Sequence, residues 1–363
     1  MRPSSPLDRV AGAHDAAVLA VARRGDPVSR ADLAAALRVT PQAISKILAR
    51  LIGRGLMAEA GTITAGPGKP TTLYRIEPSS RRAIGLHLTR TRLHGVVVDL
   101  TGEILGRLAL EIGHLQPIPD LVATLATMAR ELMDIGDGEL LGVGVGMPGP
   151  VDRGEGVYRG TADPDPWRGA PLRRLLAAEL ELPVLLDHDS RAALVGETWT
   201  QPHLLRDTAL LLVEDGLGAA LCLNGRIIHG AHSQAGEIGH TVVRIGGAPC
   251  SCGRRGCAQA EHRAALDAGD AAAAADVLAS VALDLVRLVD VDRVILGGRT
   301  VHEHHAVTME AIRRDLSAGL LAEPWIHVEV LLSTRGADLI AVGAACEVLE
   351  HAYGVPQGLV GPE

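Results

Sequence analysis

The hydrophobic pattern of the chain changes near residue 82. Before that point apolar residues recur at helical spacing, whereas later segments such as 141–147 (LGVGVGM) are short apolar runs typical of buried strands. These runs alternate with helical stretches such as 120–136, a mixture that indicates strands layered with helices. The 363 residues suffice for two or three domains of about 100–200 residues each. The sequence therefore predicts a small α+β domain over 1–81 and a larger, two-lobed α/β domain over 82–363.

The charge is divided between the same two regions. Residues 1–81 hold 12 Lys and Arg against 6 Asp and Glu, a net charge of +6. The rest of the chain holds 23 against 37, a net charge of −14. A basic head on an acidic body is expected if only the head meets nucleic-acid phosphates.

Three helices are predicted in the head. The first covers 14–23, and the second covers 30–38, with Ser29 as its N-cap and Asp32 in its first turn. The third begins after Thr40, a good N-cap, and runs to about residue 54. Its apolar stripe consists of Ile44, Ile47, Leu48 and Leu51. Two strand-like runs then flank a turn at 66–70, so the head has the pattern of a winged helix-turn-helix.

A recognition helix of this kind contacts base edges with the polar residues near its N-terminus. The positions predicted to contact double-stranded DNA are Thr40, Gln42, Ala43, Ser45, Lys46 and Arg50, with Lys69 on the wing. A small helical bundle with a solvated face is the alternative, and the wing turn could be an ordinary turn with one lysine. A single head offers few contacts, so a homodimer or homotetramer on paired half-sites is expected.

One histidine and three cysteines lie close together in the second region. His240 precedes Cys250, Cys252 and Cys257, which stand in a glycine-rich loop. Three thiolates and one imidazole form the ligand set of a closed, structural Zn²⁺ site. Free thiols beside an unrelated histidine are the alternative.

The sequence gives no sign of a membrane partner. No stretch approaches the about 20 uncharged apolar residues of a membrane span, and the start lacks the apolar core of a signal peptide. The cysteine cluster is also more typical of a metal site in a reducing compartment than of disulfides. These features predict a cytoplasmic protein.

Six motifs in the second region resemble a known family. In chain order they are VGVGMPGPVD, DHDSRAALVGE, DGLGAALCLNG, AGEIGH, CSCGRRGC and VILGG. Over about 82–351 this order resembles the ROK family (repressor, open reading frame, kinase), and the head resembles the winged helix-turn-helix of its repressors. The resemblance implies a sugar-kinase-like body with the actin/hexokinase-like ATPase fold, and a sugar or sugar-phosphate effector.

The resemblance also implies a ligand pocket. The matching positions are Asp163, His188, Asp189, Glu237, His240 and Gln259. The apolar, strand-like run PVLLD at 183–187 is predicted to lead into a helix that begins at Asp189. Asp189 matches the catalytic aspartate of the family, although by itself it could be a simple helix cap. Asp163 and His188 replace asparagines, and Gln259 replaces a glutamate, so the ligand preference is expected to differ.

The phosphate-binding loops implied by the resemblance are degenerate. The family's Asp-x-Gly-Gly-Thr loop is replaced at 87–91 by HLTRT, and its Gly-Thr-Gly loop by Glu214-Asp215-Gly216. Side chains in place of glycines block close approach of the backbone, and carboxylates repel phosphates. Arg90 and Arg92 could favour an anionic ligand, or could be solvated arginines of a strand turn.

These departures predict a ligand-controlled transcriptional regulator of carbohydrate-related genes, a repressor by the resemblance, and not an enzyme. Two alternatives stay open: a sugar kinase with a DNA-binding appendage, and a DNA-binding regulator that has lost its ligand response.

Overall fold

The computed structural model describes residues 6–23, 25–64, 70–114, 116–160, 165–204 and 206–354. Within these ranges no helix combines the length and the apolar character needed to cross a membrane.

The head contains three helices and a small antiparallel sheet, in the predicted order. In chain order its elements are α1 (Pro6–Ala22), β1 (Val28–Ser29), α2 (Arg30–Leu37), α3 (Pro41–Gly53), β2 (Met57–Ile63) and β3 (Thr71–Ile76). The predicted caps are present: Ser29 and Asp32 form a reciprocal capping box, and Thr40 Oγ1 accepts a hydrogen bond from the Ala43 N–H. The first helix begins earlier than predicted, because the apolar pattern does not reveal its first two turns.

The hairpin after α3 is antiparallel, and β1 pairs with the other edge of β3. Its tip at 65–69 lies outside the described residues, so the predicted wing contact of Lys69 has no structural description.

The first lobe of the body is a five-stranded sheet with the order β10-β7-β4-β5-β6. Its elements are β4 (Arg81–Leu88), β5 (Arg92–Asp99), β6 (Ile104–Glu111), α4 (Ile118–Met133), β7 (Glu139–Met147), β8 (Val151–Asp152), β9 (Val157–Tyr158), α5 (Leu172–Leu180) and β10 (Val184–His188). Strand β6 lies at one edge of this sheet. Its alternation is weak because Leu105 and Leu110 are exposed.

The second lobe has another five-stranded sheet, with the order β13-β12-β11-β14-β15. Its strands are β11 (Thr208–Val213), β12 (Leu217–Leu223), β13 (Arg226–Ile227), β14 (Arg293–Gly297) and β15 (Glu329–Leu332). The remaining helices of the body are α6 (Asp189–Thr200), α7 (Ala258–Asp267), α8 (Ala271–Val289), α9 (Arg299–Glu303), α10 (His305–Gly319) and α11 (Leu339–Tyr353).

Helices α6 and α11 lie between the two sheets. Helix α6 contacts β11 and β12, while α11 contacts β4 and β7. The two helices pack backbone to backbone, because a Cβ at Gly343 would overlap the carbonyl oxygen of Ala192. A Cβ at Gly144 would likewise overlap the carbonyl oxygen of Ala344, so α11 also lies directly on the first sheet.

The head and the body share one apolar core. A single cluster of buried residues runs from Leu19 in α1 and Leu51 in α3 to Leu349 in α11. The head is therefore packed on the body.

Candidate functional site

The centre of the candidate pocket is the junction of β10 and α6. The apolar run 184–186 builds a strand parallel to β7, and the chain turns into α6 directly after His188. Asp189 is thus the first residue of the helix and is buried. The sequence prediction of this strand-to-helix junction is confirmed.

His188 bridges two carboxylates of the pocket. Its Nδ1 lies 2.8 Å from Asp189 Oδ1, and its Nε2 lies 3.4 Å from Glu237 Oε1. Burial opposes protonation of the imidazole, but the two carboxylates outweigh it and raise the pKa of His188 to about 10. Burial likewise opposes ionisation of Asp189 and Glu237, yet His188 holds the pKa of both carboxyls below the usual range. The pocket therefore holds an imidazolium between two carboxylates at neutral pH.

This bridge limits the chemistry of Asp189. A carboxylate that is paired with an imidazolium is a weaker proton acceptor than one that is free. The bridge engages one oxygen of Glu237, whose side chain is 31% exposed, so this carboxylate can still accept hydrogen bonds from ligand hydroxyls. The ring of His188 lies against Gly149, where a Cβ would overlap it. The sequence identified His188 as a departure from the family but gave no sign of the bridge.

A second histidine lies at the end of β4. His87 is buried, and its Nε2 has no hydrogen-bond partner within the described part of the chain. Burial lowers the pKa of His87 to about 4, against the opposing effect of Asp189. His87 is therefore neutral, and it stands where the resemblance implies an aspartate.

The segment Glu214-Asp215-Gly216, which replaces the family's Gly-Thr-Gly loop, contacts the turn at Gly297-Gly298. The Glu214 carboxylate accepts a hydrogen bond of 2.8 Å from the N–H of Arg299, directly after the Gly297-Gly298 turn. Arg299 Nη2 also lies 3.6 Å from Asp215 Oδ1. Burial, together with the charges of Asp189 and Asp215, raises the pKa of Glu214 to about 7. The backbone N–H at this turn is therefore hydrogen-bonded to a carboxyl group of the chain itself.

The remaining predicted pocket residues divide into three cases. Asp163 lies outside the described residues. Gln259 Nε2 donates to Cys250 Sγ at 3.4 Å, while a Cβ at Gly239 would lie 3.2 Å from Gln259 Oε1. Gln259 therefore connects the cysteine loop to the segment that carries Glu237. His240 faces the cysteines through Nδ1.

The histidine and three cysteines are brought together as predicted. The ligand atoms of His240, Cys250, Cys252 and Cys257 all lie within 4.8 Å of one another. His240 Nδ1 is 3.5 Å from Cys250 Sγ, and Cys252 Sγ is 3.6 Å from Cys257 Sγ. Tetrahedral zinc with ordinary bond lengths needs about 3.6 Å between nitrogen and sulfur and about 3.8 Å between two sulfurs. The donor set and its spacing fit a bound metal ion.

The loop that holds this cluster needs glycine at Gly256. Its φ is +76°, and a Cβ there would overlap the carbonyl oxygen of Arg244. The Gly256 N–H donates to the Ala248 carbonyl oxygen, which closes the loop on itself.

Helix α3 presents a small polar face. Its predicted apolar stripe is buried, whereas Gln42 and Lys46 are exposed. The other predicted positions have partners within the head: Thr40 caps the helix, Ser45 Oγ donates to the Pro41 carbonyl oxygen at 2.9 Å, and the Arg50 guanidinium pairs with Asp15 of α1. The half-buried Ala43 lies between Gln42 and the stripe.

A buried ion pair behind the pocket escaped sequence reasoning. Arg191 Nε donates to Asp187 Oδ1 at 2.7 Å, and both side chains are buried. Arg153 Nε lies 2.8 Å from the other carboxylate oxygen of Asp187. The i, i+4 spacing of Asp187 and Arg191 was the only signal of this pair in the sequence.

Comparison with known proteins places these features in a family. The model of the ROK family matches residues 83–268, half of the chain. The chain belongs to the ROK family.

Among curated relatives, the xylose repressor of Caldicellulosiruptor bescii is 27% identical over 249 residues, which cover 66% of this ROK chain and 61% of that repressor. The chain thus spans about three fifths of that repressor's length. A glucokinase of Halalkalibacterium halodurans is 39% identical over 121 residues, which cover 33% of this chain and 36% of that enzyme.

The same fold is found in a solved ROK family transcriptional regulator, a homologue of the E. coli MLC protein. It superposes with a TM-score of 0.73 at 20% identity, covering 96% of this chain and 98% of that one. The two-lobed body is therefore the fold of ROK proteins.

Proposed function

We propose that this ROK protein is a DNA-binding transcription regulator whose cleft binds a sugar or a sugar derivative. The proposal rests on one observation: the chain combines a head that exposes polar residues of α3 with a ROK body. Relatives named as xylose repressors support it, as does the fold shared with a ROK transcriptional regulator over nearly the whole chain.

The head is proposed to act as a winged helix-turn-helix. Gln42 and Lys46 are the exposed polar side chains of the first turns of α3, in the position from which recognition helices read the major groove. Arg50 is held by Asp15, so we assign it the role of fixing α3 on α1 and not that of reading bases. Lys69 is proposed to contact phosphates from the wing.

The body is proposed to recognise its ligand without phosphorylating it. Phosphoryl transfer needs a free base and a cradle of amides for the phosphates. Here Asp189 is bound to His188, and the amide of Arg299 is bound to the Glu214 carboxyl group. The carboxylates of Asp189 and Glu237, with Gln259 and His240 behind them, are proposed to bind ligand hydroxyls, and Asp163 is proposed to join them.

We further propose that His240, Cys250, Cys252 and Cys257 hold a structural Zn²⁺ ion. All four positions of a tetrahedron would be filled by the chain, so the ion would fix the loop and leave no open position for catalysis. A homodimer or homotetramer would place heads on paired half-sites, and a regulator of this kind would act in the cytoplasm, where the DNA is.

The DNA proposal is tested by selection from random double-stranded DNA, followed by titration at fixed salt. The wild type should enrich one motif, and Gln42→Ala with Lys46→Ala should lose the preference for it by about 10-fold or more, because these side chains read bases. Lys69→Ala should weaken binding to all sequences about equally.

Arg130→Ala is the matched control, because it removes one exposed positive charge from helix α4 of the body. A double variant that still selects the same motif would contradict the proposed recognition face. The same preparations are assayed with ATP and D-glucose or D-xylose. Sugar phosphorylation above background would favour the kinase alternative.

A further inference from the structure

One helix reaches from the pocket to the head. Helix α6 begins at Asp189, inside the pocket, and ends at Thr200. Its twelve residues span about 18 Å. Trp199, in its last turn, is buried and lies at the edge of the body that meets α1.

The head grips this end of α6 through Arg23. Arg23 follows the last residue of α1, and its Nε donates to the Trp199 carbonyl oxygen at 2.8 Å. The guanidinium carbon lies 3.5 Å from the centre of the Trp199 ring, so the cation also stacks on the indole. Together, one hydrogen bond and one cation–π contact constrain both the distance and the angle between α1 and α6.

A second contact joins the head to α11. Tyr353, in the last turn of α11, accepts a hydrogen bond of 3.0 Å from Nε of Arg81, the residue that begins β4 where the head joins the body. The guanidinium of Arg54, directly after α3, lies 5.7 Å from the same ring. Since α6 and α11 meet backbone to backbone at Gly343, a shift of one helix carries the other.

Charged side chains also lie between the pocket and the head. The backbone N–H of His188 donates to Asp187 Oδ1 at 2.6 Å, and Asp187 Oδ2 is 2.8 Å from Arg153 Nε. Glu350 of α11 interacts electrostatically with both Arg153 and Arg23.

We propose that Arg23 is the positioning residue that transmits the state of the pocket to the DNA-binding head. This inference rests on the proposed function and adds its mechanism. Ligand binding at His188, Asp189 and Glu237 changes the placement of the first turn of α6. Arg23 converts that change into a new orientation of α1 and, through the Asp15 pair with Arg50, of α3.

The test compares wild type with Arg23→Met, which keeps chain length but lacks the charge and the planar donor. The DNA is the motif selected by the wild type, and the pocket probes are D-xylose and D-glucose. In the wild type a bound sugar should change the Kd for DNA by about 5–150-fold, and DNA should change the Kd for sugar by the same factor. In Arg23→Met both factors should fall below twofold, while each Kd measured alone changes by less than threefold.

A second stimulus needs no sugar. His188→Asn breaks the bridge inside the pocket, and its effect on the Kd for DNA is measured with and without Arg23→Met as a double-mutant cycle. We expect at least a fivefold effect in the wild-type background and less than twofold in the Arg23→Met background. This arm remains decisive if neither sugar binds, a result that would count against the proposed sugar sensor alone.

Arg130→Met, at an exposed arginine of the body, is the control and should leave the coupling unchanged. Arg23→Gln, which keeps an N–H donor but no charge, is the second variant and should also lose coupling. Equal coupling in wild type and in folded Arg23 variants would overturn the proposal. So would a wild type in which neither sugars nor His188→Asn change DNA affinity, since Arg23 would then have no signal to transmit.

Discussion

The cysteine cluster and the pocket both hold several anionic groups close together, and each needs a positive charge to balance them. The pocket places two carboxylates around His188, and the cluster would place three cysteine thiolates and a histidine around the proposed Zn²⁺ ion. Three thiolates with Zn²⁺, or two carboxylates with one imidazolium, would each leave one net negative charge. The cluster would take its cation from solution, whereas the pocket obtains its positive charge by protonation of a side chain.

The two sites also differ in how the chain builds them. All four cluster residues lie within 240–257, so folding of that loop and binding of the proposed ion would be one event. The pocket joins residues from β4, the β10–α6 junction and the segment at Glu237, so it exists only after both lobes are packed. The stability contributed by the cluster should therefore depend on the supply of metal. The stability contributed by the pocket should depend on pH and on the packing of the two lobes.

Cys252→Ser should have the largest effect. A serine hydroxyl is a poor zinc ligand, so zinc content should fall from about one ion per chain to near zero. The free energy of unfolding should fall by about 5 kcal/mol or more, since the loop loses its ion. Elemental analysis and urea unfolding measure the two effects.

Cys222→Ser makes the same chemical change at a buried cysteine of β12, outside the cluster. It should keep its zinc and lose only about 1–3 kcal/mol from burying a hydroxyl. If both variants lost the same free energy of unfolding and both retained zinc, the effect of Cys252→Ser could not be assigned to the metal.

His188→Ala should have the next largest effect, about 3–5 kcal/mol of unfolding free energy, because it leaves Asp189 buried beside Glu237 without a cation. His188→Asn, which keeps an N–H donor, should lose about half as much. Urea unfolding at pH 6.5 measures both variants, and zinc content should stay at the wild-type value.

The pH dependence of wild type against His188→Asn checks the cause. The pKa of His188 is raised to about 10, so its contribution is complete below its unfolded value of about 6.5 and is lost as the pH rises through about 10. The difference in stability between the two proteins should therefore shrink between pH 6.5 and pH 10. A constant difference would show that the imidazole acts by packing alone.

Gln259→Met should have the smallest effect and addresses a side chain that connects the cysteine loop to the segment that carries Glu237. Loss of the amide that donates to Cys250 should weaken zinc affinity about 10-fold, as measured by competition with a chelator. Gln234→Met, an exposed glutamine of the same lobe, is the control. Unchanged zinc affinity in Gln259→Met would show that the amide of Gln259 does not support the cysteine cluster.

The difference in construction explains what the sequence could predict. The cluster, the capping box at Ser29 and the apolar stripe of α3 follow from residues close in sequence, and the structure confirms all three. The strand-to-helix junction at Asp189 follows from a local pattern as well. The body's fold was predicted by resemblance, since strand order across a sheet leaves no local signal.

The features that escaped prediction all depend on long-range contacts. The bridge from His188 to Glu237 joins residues 49 positions apart, and Arg23 meets Trp199 across 176 positions. Neither an arginine after a helix nor a tryptophan at a helix end is unusual, so only tertiary packing reveals them. The assignment of Arg50 to DNA failed to anticipate Asp15 for the same reason, because α1 covers that end of α3 only in the folded head.

Because the chain has few aromatic residues, its near-ultraviolet spectra can report on the junction between head and body in solution. The chain has three tryptophans, three tyrosines and no phenylalanine. Trp199 and Tyr353 stand at the junction, whereas Trp167 and Tyr158 pack edge to face within the first lobe. Near-ultraviolet circular dichroism thus has few contributing rings, and each belongs to a known place. The emission of Trp199, with a guanidinium on its face, is an intrinsic reporter of head movement that needs no attached dye.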